Sequence, residues 1–183
     1  GPLNSAVLEN DVPLARLFSR LFDLNEPDLR GKTPLNYVRS PEMLQVLTDA
    51  GAEFSRNTTD DDVKELARNC KGLHLTNTKL PDTVTDIGYK ELAKNCAPDL
   101  SNIDLSGNRQ IGDETVQELA RNCKGLNLTN TTLPETVTDI GYKELVKNMQ
   151  DFTSLDLSGK TFVGDEIVKE IATNCPLIAR ACI

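Results

Sequence analysis

Histidine occurs once in this chain of 183 residues, as His74, and none of the five cysteines belongs to a CxxC pair. A zinc site built from clustered thiolates and imidazoles is therefore excluded, and the odd cysteine count does not close into a disulfide framework. Thiols at such spacings read as small buried hydrophobes in a reduced, cytoplasmic compartment. There is no HExxH, no glycine-rich phosphate loop and no nucleophile elbow, which removes the common hydrolase and nucleotide-binding signatures. No apolar run approaches the ~18 residues of a membrane span, and no signal-peptide pattern is present. Positive charge is short as well: 20 Lys and Arg face 28 Asp and Glu, a net charge of -8. Nucleic-acid binders carry basic stripes, and here the bases are scattered among acids. Composition thus leaves a protein as the partner, with no nucleic acid, no membrane insertion, no cofactor and no metal.

Repetition is what the chain does have. Asn-Cys-type corners recur at Asn69-Cys70, Asn95-Cys96, Asn122-Cys123, Asn148-Met149 and Asn174-Cys175, 26 or 27 residues apart. Residues 63–95 and 116–148 match at 28 of 33 positions, so the true repeat is a double unit of 53 residues. Before each corner runs a segment with apolar residues at helical spacing: Val63/Leu66/Ala67, Tyr89/Leu92/Ala93, Val116/Leu119/Ala120, Tyr142/Leu145/Val146 and Val168/Ile171/Ala172. Asp60, Asp86, Asp113, Asp139 and Asp165 stand where these helices begin and read as N-caps, structural rather than catalytic. The asparagine at each corner suits a left-handed residue that closes the helix. Short alternating stretches follow at 73–75, 103–105, 126–128 and 155–157, and they read as strands. Met149 in place of cysteine argues that the corner needs apolar volume, not a thiolate. Leu80 and Leu133, in paired spacers after the first and third strands, read as tucked into the core.

A period in this range with strand and helix in each unit indicates a repeat solenoid. The expected class is an α/β leucine-rich-repeat horseshoe, with parallel strands on its concave face, helices on its convex face and about five units over residues 58–183. The unit Val84-Thr85-Asp86-Ile87-Gly88-Tyr89-Lys90-Glu91-Leu92-Ala93-Lys94-Asn95-Cys96 resembles the cysteine-containing, ribonuclease-inhibitor-like repeats of F-box ubiquitin-ligase receptors.

The first residues, Gly1-Pro2-Leu3-Asn4-Ser5, read as a protease-cleavage and cloning remnant that stands outside the fold. Within residues 6–57, Asp28-Leu29-Arg30-Gly31-Lys32-Thr33-Pro34-Leu35-Asn36-Tyr37-Val38 resembles the opening of an ankyrin repeat, with Asn36 for the usual His and Val38 for the usual Ala. Such units are rarely stable alone, so an all-α, ankyrin-like cap packed on the next domain is expected. Ankyrin-like and leucine-rich segments in one short chain resemble the effectors that intracellular bacteria such as Legionella deliver into host cells. The resemblance implies a non-enzymatic scaffold for protein–protein interaction that binds a host protein in the cytosol. The alternative it implies is the substrate-recognition module of a ubiquitin-ligase complex.

The candidate site is the concave face. Its aligned rows bring together His74, Asp104, Asn127 and Asp156, then Thr76, Ser106, Thr129 and Ser158, then Asn102, Ser154 and Arg180. Such a surface suits a basic or extended segment of a partner, held by hydrogen bonds and two aspartates. It is poor in the Trp, Tyr and Arg that dominate hot spots. His74 beside Asp104 reads as a surface polar pair, not a catalytic one. An apolar last repeat offers a second surface, for self-association.

Overall fold

Threonine followed by aspartate begins three helices, after Thr59, Thr85 and Thr138, and for the first two the structure shows which of the pair caps. In a computed structural model of the chain, which describes residues 1–71, 80–95, 109–122, 133–148 and 165–174, the helices are α1 (Pro2–Leu8), α2 (Val12–Phe18), α3 (Pro41–Asp49), α4 (Asp60–Asn69), α5 (Asp86–Lys94), α6 (Asp113–Asn122), α7 (Asp139–Asn148) and α8 (Asp165–Asn174). One 3₁₀ turn, Pro34–Tyr37, precedes α3. The caps of α4 and α5 are Thr59 and Thr85, whose hydroxyls accept from the Asp62 and Ile87 amides. Asp60 and Asp86 sit one residue inside, in the first turn, where their charge still meets the positive helix end. The N-cap role expected of them belongs to the threonines.

The expected α/β class is corrected. Regular structure among the described residues is entirely helical, with no strand, so the leucine-rich-repeat horseshoe and its solenoid of parallel strands do not describe what is seen. The stretches read as strands, 73–75, 103–105, 126–128 and 155–157, lie outside the described residues. Within the described ones the repeat is carried by helix-on-helix packing, α4 on α5, α5 on α6, α6 on α7 and α7 on α8. Each of α4–α7 turns the apolar side expected from its spacing into one continuous core, and Leu80 and Leu133 pack against it. The last helix departs from the pattern: Ile167 is buried there, while Val168 is 53 % exposed.

The asparagine corners also differ from expectation. Among the described residues the only non-glycine with positive φ is Asn10. Asn95 has φ of -114° and ends α5 differently: its Nδ2 donates to the Glu91 carbonyl at 2.9 Å. Asn148 does the same to Glu144 at 2.8 Å. Amide side chains thus satisfy late-turn carbonyls without a left-handed residue. Cys70, at the first corner, is fully buried, and burial pushes its thiol up to about 11. It is an inert apolar filler.

In the N-terminal segment, residues 2–5 belong to α1 rather than outside the fold, and Leu3 is buried. α1 packs on α2 and on the 3₁₀ turn, and α2 packs on α3. Gly31 (φ +75°) and Gly51 (φ +96°) hold left-handed turns before the 3₁₀ turn and after α3. No helix among the described residues is long and apolar enough to cross a membrane.

Candidate protein-binding surfaces

All eleven residues of the expected concave-face site, His74, Thr76, Asn102, Asp104, Ser106, Asn127, Thr129, Ser154, Asp156, Ser158 and Arg180, lie outside the described residues. The surfaces that the structure does describe are elsewhere.

The row of first-turn aspartates is a conspicuous acidic feature. Three of them, Asp60, Asp86 and Asp113, reach across to the following unit, whereas Asp139 Oδ2 is buried without a hydrogen-bond partner among the described residues. Asp60 accepts from the Thr85 amide at 2.8 Å and the Thr85 hydroxyl at 2.6 Å. Asp86 accepts from the Gly112 amide at 2.8 Å and the Thr115 hydroxyl. Asp113 accepts from the amides of Thr138 at 2.7 Å and Gly141 at 3.1 Å, and from the Thr138 hydroxyl. Charge-assisted bonds of this kind hold neighbouring helices in register. No group of three or more metal-ligating side chains occurs among the described residues.

A second polar network joins the N-terminal segment to α4. Asn36 Oδ1 accepts from the amides of Thr33 at 3.2 Å and Ser55 at 3.0 Å, and its Nδ2 donates to Thr58 Oγ1 at 2.9 Å. Thr33, Ser55 and Thr58 are all buried. Lys32 Nζ donates to the Asn57 carbonyl at 2.8 Å and pairs with Asp62 at 2.6 Å. The segment therefore sits directly on the helix row. Beside this junction lies a cleft of about 180 Å³ whose lining includes Leu8, Arg30, Tyr37, Arg39, Glu65 and Asn69. The Tyr37 hydroxyl donates to Asp28, which lowers the Asp28 pKa and raises that of Tyr37. The pair stays in its donor and carboxylate forms near neutrality.

The Lys32–Asp62 pair sets a pH dependence. Burial works to raise the Asp62 pKa, but hydrogen bonds from Lys32 and the Thr59 amide outweigh it and hold the carboxyl below 3.8. A carboxyl whose pKa falls on folding adds stability above its unfolded value and loses it as pH drops through the folded one. Lys32→Met is therefore expected to be less stable than wild type at pH 7, with the gap closing below about pH 4. Urea midpoints from pH 7 down to pH 2.5 measure this, and a pH-independent gap would show that the charge of Asp62 is not involved.

A concavity of about 930 Å³ runs between α2 and α3. Val12, Arg16, Ser19 and Arg20 line one side, and Pro41, Glu42, Gln45, Val46, Asp49 and Ala50 the other. Neither arginine forms an ion pair within 4 Å among the described residues, and neither Glu42 nor Asp49 does. Next to it, Leu17 (52 %), Leu21 (65 %) and Phe22 (44 %) are exposed, and the Phe22 ring stands edge-on to Phe18 at 5.3 Å. Exposed apolar side chains together with arginines are a composition that interfaces favour. No family model matches the chain. The chemistry of this surface is thus the guide to its use. A trace of it was present in the sequence: five of the nine arginines fall in the first 57 residues. Repeat alignment draws attention to the second half and passes over them.

Proposed function

We propose that this chain is a non-enzymatic scaffold for protein–protein interaction, acting in a cytosol, and that it engages a protein partner through its N-terminal segment. The observation that carries this reading is the α2–α3 groove, with Arg16 and Arg20 free of ion pairs and Leu17, Leu21 and Phe22 exposed beside it. Asp60, Asp86 and Asp113 support the non-enzymatic part, because their carboxylates are bonded to donors of the neighbouring unit. The ankyrin-like opening at residues 28–38 supports the narrower reading, a bacterial effector whose partner is a host protein.

Affinity capture from host-cell cytosol followed by mass spectrometry tests it. Wild type is expected to enrich a discrete protein, and Leu17→Ser with Leu21→Ser is expected to lose it, both positions being exposed enough to leave the fold intact. Asp104→Lys with Asp156→Lys is the comparison. If that pair loses the partner while the leucine pair keeps it, the surface lies on the rows read from the sequence and the N-terminal assignment fails. If nothing is enriched, the scaffold reading itself fails.

A further inference from the structure

We infer that the α2–α3 groove takes an amphipathic α-helix from a partner protein, acidic along one flank and basic along the other. The inference rests on the interaction reading above and names the partner's chemistry. Arg16 stands in the last turn of α2 and Arg20 in the turn that follows it, and Glu42 and Asp49 are two turns apart on α3. Val12 on the α2 side and Val46 and Ala50 on the α3 side add apolar lining, and Leu17, Leu21 and Phe22 are exposed in the same stretch of chain as α2. Walls of opposite sign that also carry apolar side chains are complementary to a helix with a central apolar stripe and oppositely charged flanks. A helix brings its own backbone hydrogen bonds. An extended peptide would gain no backbone ladder here, since no strand occurs among the described residues to pair with it. Nucleic acid is disfavoured because Glu42 and Asp49 would face its phosphates. A second copy could offer from the row only the single exposed apolar residues Ile87, Ile140 and Val168, because the repeated apolar positions of α4–α7 are buried in their own core.

The probe is a display library of helix-restrained peptides about 14 residues long, some 20 Å at 1.5 Å per residue. Selection on the intact chain is expected to enrich sequences with an apolar stripe, acids on one flank and bases on the other. Arg16→Glu with Arg20→Glu is expected to weaken the enriched peptides at least roughly tenfold, and reversing their acidic flank to lysine should restore binding. No enriched amphipathic helix, or binding indifferent to the reversal, overturns the assignment. Sedimentation velocity of the chain alone supplies the other arm. A dimer abolished by the same reversal places a second copy in the groove, and the hetero-partner assignment then falls. If host capture depends on Leu17 and Leu21 while no helix is selected, the scaffold reading stands and only the helical occupant is wrong.

Discussion

Alanine at both Gly88 and Gly141 is expected to destabilise the chain by about 2–4 kcal/mol. These glycines are needed for room, not for a left-handed backbone. A Cβ at Gly88 would lie 2.7 Å from Asp60 Oδ1 and 2.8 Å from Val84 Cγ1. At Gly141 the corresponding distances are 2.7 Å to Asp113 Oδ1 and 2.9 Å to Val137 Cγ1. Neither aspartate can swing away without giving up its bonds to the next unit, and both valines are buried. Overpacking of this kind costs about 1–3 kcal/mol, and the better helix propensity of alanine returns about 1. Loss of the displaced aspartate bonds brings each site to about 1–2 kcal/mol, and the two add because they lie 53 residues apart. Gly112 is the control. A Cβ there would meet Asp86 at an ordinary 3.7 Å, so Gly112→Ala should leave stability within about 0.5 kcal/mol. Urea midpoints read by circular dichroism decide, and a double variant as stable as wild type would show that the helices do not approach this closely.

Asn36→Ala is expected to cost a similar amount, about 2–4 kcal/mol, and to act at a different place. The amide of Asn36 serves donors on both sides of the junction between the N-terminal segment and α4. Its removal leaves the buried Ser55 and Thr33 amides without their acceptor, at about 1–3 kcal/mol for each buried unsatisfied donor. The larger signature is local. Residues 55–58 are held to the 3₁₀ turn by this side chain, through the Ser55 amide and Thr58 Oγ1, while the Thr33 hydroxyl donates to the Glu53 carbonyl at 2.6 Å just upstream. Hydrogen exchange at 55–58 should therefore speed up in Asn36→Ala more than exchange in α5–α7. Uniform acceleration along the whole chain would mean that Asn36 supports global stability and not this junction.

The parts that were legible in the sequence are those with a local period. The triplets Val63/Leu66/Ala67 through Tyr142/Leu145/Val146 are buried as their 3.6-residue spacing requires, and the partly buried Leu80 and Leu133 lie against the core. The misreadings share a cause: each needed knowledge of a neighbour in space. Thr59 and Asp60 are both good caps by type, and only the nearness of Thr85 explains why the carboxylate is turned to the next helix. The same applies to Ile167 and Val168, adjacent apolar residues of which packing against α7 selects the first. Asn95 is a plausible left-handed corner until its side chain is found on the Glu91 carbonyl. The α/β class rested on stretches outside the described residues, while the described ones pack helix on helix. The α2–α3 groove was illegible because it lies outside the repeats that recur every 26 or 27 residues, and only the uneven distribution of arginine hinted at it.

The aspartate bridges also constrain how such a chain grows by duplication. α4, α5 and α6 each offer a carboxylate forward to the next unit, and these junctions alternate in kind. Asp60 and Asp113 meet a threonine amide beside a glycine that makes room, at Gly88 and Gly141. Asp86 meets a glycine amide and the hydroxyl of Thr115. Copying one unit would set two like ends against each other and break a junction. Copying two at once inherits every junction intact, and the cassette that recurs here, 28 of 33 positions alike, is two units long.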